Sequence, residues 1–423
     1  MKYELLRLPR AMRQLERLRR THHPRVADII EAIKALATNP RPPRSEKLTD
    51  RPERRIRIGN HRCFIWLMIP AGRLRLFPSL TDAKFTVDSM KAMILAAGYG
   101  ERLWPLTGDR TKPALPVLGK PLVGYVAEYL SKFGIRDVVV NLHHQPESVR
   151  RSLGDGSRFG VALQYVYEPV ILGTSGALDN ARDLLQGDTF VVVNGKIITD
   201  IDLTAALETH RRTRALATLV LQKNVARARF SIVETEGGFV KRFGGMPLPN
   251  EGPSDDKLKF VGHYTPLMFT GIQILDSRIF DYIPRGVFSH STVEVYPEAI
   301  ARGELIAAHV AQGRWYELST LQRYLDISLA LLRAEGLDTY TGRNSSIETA
   351  ADVHDSILWD GVIVEKGASL RRAVLGDAVR VPAGDRIEDA VIVRADLVAG
   401  VTPPARALKG EIKGENFVVS LSR

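Results

Sequence analysis

An apolar run followed by a glycine-containing loop sets the strongest constraint on the fold of this 423-residue chain. The run Met93-Ile-Leu-Ala-Ala97 leads into Gly98-Tyr-Gly100, Arg102 follows two residues later, and Lys112 lies ten residues beyond Arg102. Such a short apolar run suits a strand that is covered on both faces of a parallel sheet. Glycines after the strand let backbone N–H groups approach a phosphate, and the two cations can neutralise its charge. We therefore expect an α/β sheet with a phosphate-binding loop at the carboxyl end of this strand.

The residues of this loop exclude two common phosphate-binding motifs. A Walker A loop needs Gly-Lys-Ser/Thr after four spacer residues, and none follows Gly98. A dinucleotide-binding fingerprint needs a third glycine at the position of Leu103. The pattern Leu-Ala-Ala-Gly-x-Gly-x-Arg-Leu-x-Pro-Leu-Thr, with Lys112-Pro113 shortly after it, resembles instead the signature of the sugar nucleotidyltransferases, or NDP-sugar pyrophosphorylases.

This resemblance implies a reaction and its substrates. In the family, a sugar 1-phosphate attacks the α-phosphate of a nucleoside triphosphate, which yields an NDP-sugar and pyrophosphate, with Mg²⁺ as the cofactor. Mannose-1-phosphate guanylyltransferases and related sugar-phosphate enzymes are the most similar members. The alternative is a regulatory paralogue that binds nucleotide-sugars and catalyses weakly or not at all.

The resemblance also assigns the site residues. Arg102 is expected to stabilise charge on the leaving pyrophosphate, and Lys112 to bind the α-phosphate side. The residues expected to contact the nucleotide are Leu95, Ala96, Ala97, Gly98, Gly100, Glu101, Gly173 and Thr174. The residues expected to contact the sugar are Glu168, Thr270 and Gly271.

Three positions depart from the family pattern. Lys196 replaces an aspartate that ligates magnesium, Glu317 replaces the second metal-ligating aspartate, and Met246 stands where the family has a lysine that contacts the sugar phosphate. A protonated lysine cannot ligate magnesium, whereas Glu317 remains a candidate ligand. We expect Lys196 to pair with Glu317 where the metal would lie. Asp200 and Asp202 are alternative metal ligands, although a structural role for them is favoured.

The rest of the chain divides into three predicted domains. Residues 90–333 alternate strands with helices, which predicts a Rossmann-like mixed sheet. Residues 344–423 contain aliphatic residues at steps of six with one step of five, which favours a short left-handed β-helix domain over ordinary strands and predicts a homo-oligomer. The aliphatic residues are Leu358, Val364, Leu370, Leu375, Val381, Ile387 and Val393.

Residues 1–89 form a predicted small α+β module that contains 20 Lys and Arg against 9 Asp and Glu. Two helices, the second over residues 24–37, precede a strand over residues 54–62. Residues 1–62 resemble the RelE/ParE toxins, although the family's C-terminal segment is missing, so we expect an incomplete module with only weak contact to nucleic acid. The remaining chain has equal numbers of acidic and basic residues and gives no electrostatic sign of nucleic-acid binding.

Cysteine content and hydropathy suggest the compartment. Cys63 is the only cysteine, so an intramolecular disulfide is excluded. No apolar run reaches eighteen residues, and we expect a cytoplasmic protein with no membrane partner.

Overall fold

The computed structural model describes six strands within residues 1–89, together with residues 90–224, 232–244 and 266–422. The chain divides into two compact units, Met1–Ser89 and Met90–Arg423. Among the described residues, no helix is long and apolar enough to cross a membrane.

The first unit contains one six-stranded sheet with the order β1-β5-β4-β3-β2 and β6 paired to β4. Strands β3 and β4 are antiparallel, so the strand predicted over residues 54–62 is divided between them. The first predicted helix is wrong at its start, because Glu4–Arg7 forms strand β1. The rest of the two helices predicted before residue 38 lies outside the described residues, and the resemblance to RelE/ParE toxins stays a prediction. The strands are β1 (Glu4–Arg7), β2 (Ser45–Lys47), β3 (Glu53–Ile58), β4 (His61–Trp66), β5 (Arg73–Leu76) and β6 (Leu80–Thr81).

The second unit is built on a nine-stranded mixed sheet, as predicted, with the order β11-β10-β7-β12-β17-β14-β18-β16-β15. Strands β11, β10, β7 and β12 are parallel to one another, whereas β17 is antiparallel to both of its neighbours β12 and β14. The strands are β7 (Lys91–Leu95), β10 (Asp137–Leu142), β11 (Ala162–Tyr167), β12 (Phe190–Asn194), β14 (Ala217–Lys223), β15 (Ile232–Glu236), β16 (Phe239–Phe243), β17 (Leu267–Leu275) and β18 (Ile306–Val310).

Helices cover this sheet and two short two-stranded sheets flank it. Their strands are β8 (Pro116–Val117) with β9 (Lys120–Pro121), and β13 (Ile197–Thr199) with β19 (Trp315–Glu317). The helices are α1 (Leu122–Lys132), α2 (Pro146–Leu153), α3 (Ser175–Asn180), α4 (Arg182–Leu185), α5 (Leu203–Thr213), α6 (Tyr296–Ala301) and α7 (Leu321–Ala334).

The apolar periodicity of the sequence accounts for these elements. Strand β12 is apolar from Phe190 to Val193, and these four residues are buried because helices cover both faces of the sheet. Helix α1 buries Leu122, Val126 and Leu130, which recur at intervals of four residues and form one apolar face.

The C-terminal residues form parallel coils of the left-handed β-helix type. Leu358 pairs with Leu375, Val364 with Val381, and Leu370 with Ile387. Each pair is seventeen residues apart, which is two steps of six and one of five, as the repeat predicts. Ile392, rather than Val393, continues the row above Leu375. Val393 packs instead against the preceding domain, so its predicted place in the row is wrong by one residue.

The β-helix ends in an antiparallel pair, β28 and β29, which lies beyond the last aliphatic residue of the predicted repeat. The strands are β20 (Tyr340–Thr341), β21 (Ser346–Ile347), β22 (Asp352–His354), β23 (Ile357–Leu358), β24 (Ile363–Val364), β25 (Ser369–Leu375), β26 (Arg380–Val381), β27 (Arg386–Arg394), β28 (Glu411–Lys413) and β29 (Asn416–Ser420).

A shared apolar cluster joins the sheet domain to the β-helix. Leu103 and Trp104 of the glycine-loop region belong to it, as do Tyr324 of α7 and Trp359 and Phe417 of the β-helix. The loop that contains the sequence signature is therefore supported from behind by the C-terminal domain.

Candidate functional site

The parallel strands β7 and β12 end side by side at one edge of the sheet. Asn194 at the end of β12 lies opposite Leu95 at the end of β7, and Gly195 N–H donates to Leu95 O at 2.8 Å. Gly98 and Asn194 therefore lie at the same edge of the sheet, at the carboxyl ends of β7 and β12. Beside them, Ala96 N–H donates to the Asn141 side chain at 2.7 Å, which fixes the first residues of the loop.

The glycine loop is shaped to hold Lys112. Gly100 has a φ of +74°, and a Cβ atom at this position would lie 2.8 Å from the Cβ of Lys112. The Thr111 hydroxyl donates to Gly98 O at 3.0 Å and ties the two halves of the signature together. Gly100 is therefore required both by its backbone conformation and by the close approach of the lysine stem.

A pocket of about 250 Å³ opens next to the ends of these two strands. Of the residues predicted to contact ligand, Leu95, Thr174, Thr270 and Glu317 line it. Lys196 lines it as well. The other predicted contacts, Ala96, Ala97, Gly98, Gly100, Glu101, Arg102, Lys112, Glu168, Gly173 and Gly271, are not among its lining residues.

Lys196 and Glu317 form an ion pair inside this pocket, as the sequence predicted. The antiparallel ladder of β13 and β19 brings them together, because Ile197 lies opposite Glu317. The Glu317 side chain is 9% exposed and that of Lys196 is 35% exposed, so the carboxylate lies on the inner side of the pair.

Lys112 lies close to this pair and is half-buried. Burial lowers its pKa to about 8, with the nearby charges of Lys196 and Arg102 acting in the same direction and that of Glu317 opposing them. Arg102 itself is exposed at the mouth of the loop. The site thus brings together three cations and one carboxylate, an arrangement that favours a polyanionic ligand.

Within the described part of the chain, the pocket presents one carboxylate to a metal ion, that of Glu317, and it is paired with Lys196. Among them, no group of three or more His, Cys, Asp or Glu side chains could hold a metal ion. The Glu317 carboxylate is paired with Lys196, and two cations lie within electrostatic range of Lys112. Asp200 pairs with Arg314 at 2.7 Å, and Asp202 caps α5 by accepting from Thr204 N–H. Both aspartates therefore have the structural role that the sequence favoured.

The structure corrects the role predicted for Glu168. This carboxylate is fully buried; one oxygen accepts from Asn141 Nδ2 at 2.6 Å and the other from Leu172 N–H at 3.1 Å. Burial raises the pKa of Glu168. Since both oxygens are engaged inside the protein, Glu168 holds the loop before Gly173 and does not line the pocket for a sugar.

The two remaining predicted segments form the opposite wall. The Thr174 hydroxyl accepts from Ser291 N–H at 2.8 Å, whereas Gly173, with a φ of +78°, packs closely against the Ser289 carbonyl. Thr270 donates from its hydroxyl to Val220 O, so its side chain is a structural member of β17. Gly271 has a φ of +82° and leaves room for the Asn194 side chain.

Several lining residues were missed by the sequence interpretation. Ser291–Val295 forms a π-helix, a rare element that is often found at functional sites, and no periodicity in the sequence indicates it. The Trp315 indole donates to Thr270 O at 2.8 Å and fixes this wall. Met246 lies outside the described residues. The missed lining residues are His290, Ser291 and Thr292. The pocket is also lined by Asn194, Phe243, Phe269, Gln273 and Trp315, which lie within segments that match the family pattern.

Comparison with known protein families gives two matches. The family model described as "Nucleotidyl transferase" matches residues 91–334, which is more than half of the chain. The model described as "GlmU-like, C-terminal hexapeptide" matches residues 338–393.

Curated relatives cover most of the same region. A UTP–glucose-1-phosphate uridylyltransferase of Synechocystis sp. is 28% identical over 79% of this chain and 84% of the relative. A mannose-1-phosphate guanylyltransferase of Mycobacterium tuberculosis is 30% identical over 70% of this chain and 82% of the relative. An N-acetylmuramate α-1-phosphate uridylyltransferase of Neisseria meningitidis is 40% identical over 44% of this chain and 79% of the relative.

A solved structure agrees with this assignment of the fold. A Bacillus anthracis protein, described as a glucose-1-phosphate thymidylyltransferase in complex with sucrose, is 25% identical with a TM-score of 0.50. The match covers 58% of this chain and 96% of that protein. The relatives differ in base and in sugar, but their names share the transfer of a nucleotidyl group to a sugar 1-phosphate. Such enzymes generally use a divalent metal.

Proposed function

Because the chain belongs to the nucleotidyl transferase family, we propose that it forms an NDP-sugar from a nucleoside triphosphate and a sugar 1-phosphate. The observation that carries the proposal is that Lys196 lines the pocket at the ends of β7 and β12 and interacts electrostatically with Lys112, which also interacts with Arg102. A polyanion bound at this point would lie between the glycine loop and the wall that β13 and β19 form.

The reaction needs no covalent enzyme intermediate. A phosphate oxygen of the sugar 1-phosphate attacks the α-phosphorus of the triphosphate, and the bond from the α-phosphorus to the bridging oxygen of the β-phosphate breaks. Pyrophosphate leaves with that electron pair. The protein contributes by positioning both reactants and by neutralising charge, since little further chemistry is required of it.

We assign a role in this reaction to each cation. Lys112, held by Gly100, contacts the α-phosphate side, and Arg102 contacts the leaving pyrophosphate. Lys196 supplies positive charge from the opposite wall, where it is paired with Glu317. No step is assigned to a metal ion, because the donor groups present do not fit one.

For the specific substrates, we propose guanylyl transfer to mannose 1-phosphate. The support is the similarity to the Mycobacterium tuberculosis relative and to further mannose-1-phosphate guanylyltransferases from rice. The uridylyltransferase relatives make UTP and glucose 1-phosphate the necessary comparison.

A second candidate function is nucleotide-sugar binding without turnover, as in a regulatory paralogue. The ion pair between Lys196 and Glu317 favours it, because Glu317 is not free to bind an ion. In that case the pocket would accept the same ligands, but charge on the reacting phosphate would be neutralised by side chains alone.

For the assembly we propose a homo-oligomer built through the C-terminal coils. Ile347 on strand β21 and Ile363 on strand β24 are 40% and 36% exposed, and the register pairs them with Val364 and Ser346. Exposed isoleucines on these coils suit contact with a second copy.

The test combines binding and turnover. Calorimetry should show that GDP-mannose and GTP bind more tightly than UDP-glucose and UTP. Release of pyrophosphate from GTP should require mannose 1-phosphate. Binding without pyrophosphate release would support the regulatory alternative. Absence of binding to every nucleotide and nucleotide-sugar would overturn both candidates.

A further inference from the structure

A second cavity, of about 340 Å³, lies between the nucleotidyltransferase domain and the β-helix. It shares no lining residue with the pocket at the ends of β7 and β12. We propose that this cavity binds a phosphate-bearing small molecule and that the bound molecule regulates the active site. The binding part of this proposal does not depend on turnover.

The charges that line the cavity are predominantly positive. Two of its arginines are neutralised within the protein: Arg110 pairs with Asp377 at 2.6 Å, and Arg343 pairs with Asp360 at 2.6 Å. The pair of Arg110 with Asp377 connects the segment before Lys112 to the β-helix. The pair of Arg343 with Asp360 connects neighbouring coils of the β-helix. The other two lining arginines form no salt bridge within the described part of the chain, although Asp109 interacts electrostatically with one of them, Arg151.

Those two arginines are Arg151 on α2 and Arg158 in the turn that follows it. Arg151 donates to the Glu147 backbone carbonyl at 3.4 Å, and Arg158 donates to the Ser152 carbonyl. Within the described part of the chain, neither guanidinium has a carboxylate partner. Two guanidinium groups that line one cavity suit a phosphate, because each presents a planar fork of donors to its oxygens.

The other side of the cavity suits an organic group. Trp359 is almost fully buried, with Arg110 5.1 Å from the centre of its ring. Tyr340 lies over Gly119, whose φ is +74° and whose Cβ, if present, would collide with the tyrosine hydroxyl. Among the described residues this hydroxyl has no hydrogen-bond partner, so it can donate to a ligand. A cavity of this volume accommodates a small phosphorylated metabolite rather than only an ion.

The cavity and the active site share a wall. Arg110 and Ala114 line the cavity, and Lys112 between them faces the pair of Lys196 and Glu317. Lys112–Ala114 is a single 3₁₀ turn, so a ligand that contacts Arg110 acts on the segment that positions Lys112. Coupling between the two sites follows from this arrangement.

The test uses glucose 6-phosphate as the probe and glucose as its phosphate-free control. Calorimetry on the full chain should detect glucose 6-phosphate and not glucose. Affinity should fall at least tenfold in the double variant Arg151→Gln, Arg158→Gln. Arg150→Gln is the matched control, because Arg150 is on the same helix but does not line the cavity; its affinity should be unchanged.

Two results would overturn the proposal. Equal affinity in the double variant and the unmodified chain would place the phosphate elsewhere, such as beside Lys112. Binding that leaves GTP affinity unchanged would overturn the regulatory role. The expected result is a severalfold change in GTP affinity in the presence of glucose 6-phosphate, which the double variant lacks. Thermal unfolding of each variant checks that it is folded.

Discussion

The ammonium of Lys196 and the carboxylate of Glu317 form an ion pair beside the antiparallel strands β13 and β19. The pair lies beside Lys112, whose pKa depends on both members. Because the carboxylate is largely buried, it needs a cation nearby, and here a side chain supplies that charge. Side chains therefore set the electrostatics of this site.

The lowered pKa of Lys112 predicts a pH-dependent affinity for nucleoside triphosphates. Burial favours the neutral amine, so the lysine loses its charge as the pH rises through about 8. We expect the affinity for GTP to fall above pH 8. A bound polyanion favours the charged form, so binding near pH 8.5 should take up a proton. Calorimetry in buffers of different ionisation enthalpy measures this uptake, and proton release on binding would contradict the assignment.

The pH at which GTP affinity begins to fall should move in one direction when Glu317 is replaced and in the other when Lys196 is replaced. Glu317→Gln removes the carboxylate that favours the charged form of Lys112, so the fall in GTP affinity should begin at lower pH. Lys196→Met removes a repelling charge, so the fall should begin at higher pH. A shift in the same direction for both variants would contradict the proposed electrostatic coupling.

Gly100→Ala should displace Lys112. The new Cβ would lie 2.8 Å from the Lys112 Cβ at a φ of +74°. We expect a loss of about 2–4 kcal/mol in the free energy of unfolding and at least a tenfold loss in GTP affinity. Gly336→Ala is the matched control, since its φ is +77° but no atom lies within 4 Å. The Gly336→Ala variant should lose about 1 kcal/mol in the free energy of unfolding and keep its affinity for GTP. Equal affinities for GTP in both variants would contradict a role for the contact.

His210 should make the second unit less stable in acid. Its ring is buried, Nδ1 lies 2.9 Å from the Thr218 hydroxyl, and burial lowers its pKa to about 4. Between pH 6.5 and 4 the unfolded chain therefore binds a proton that the folded chain does not. The free energy of unfolding should fall by about 2–3 kcal/mol over this range. Denaturant unfolding at several pH values measures it, and an unchanged slope in His210→Gln would contradict this cause.

The sequence predicted the parts of the fold that periodicity and glycine positions determine. Strand β7 lies within two residues of the predicted run Met93–Ala97, because apolar spacing decides burial in a covered sheet. The coil spacing of the β-helix was predicted as far as Ile387. The predicted spacing is wrong at Val393. Contact with the preceding domain decides which side chain faces inward there, and local spacing does not encode that contact.

The site was predicted less completely. Leu95, Thr174, Thr270 and Glu317 line the pocket as expected, and the contact of Lys196 with Glu317 was predicted as well. Glu168 was misassigned because its burial depends on Asn141, a residue distant in the chain. The wall formed by His290 and the π-helix was missed because no local pattern distinguishes it from a loop.

We propose that the ion pair of Lys196 with Glu317 lies where a metal ion would bind, and that Lys196, Lys112 and Arg102 neutralise the reacting phosphate in place of the metal. The most direct measurement is pyrophosphate release, or binding of GDP-mannose if turnover is absent, across a magnesium titration that begins in chelator. The unmodified chain should show the same value from chelator to millimolar magnesium, whereas Lys196→Asp should gain a dependence on magnesium. Activity or binding of the unmodified chain that rises more than tenfold with magnesium and is abolished by chelator would contradict the claim.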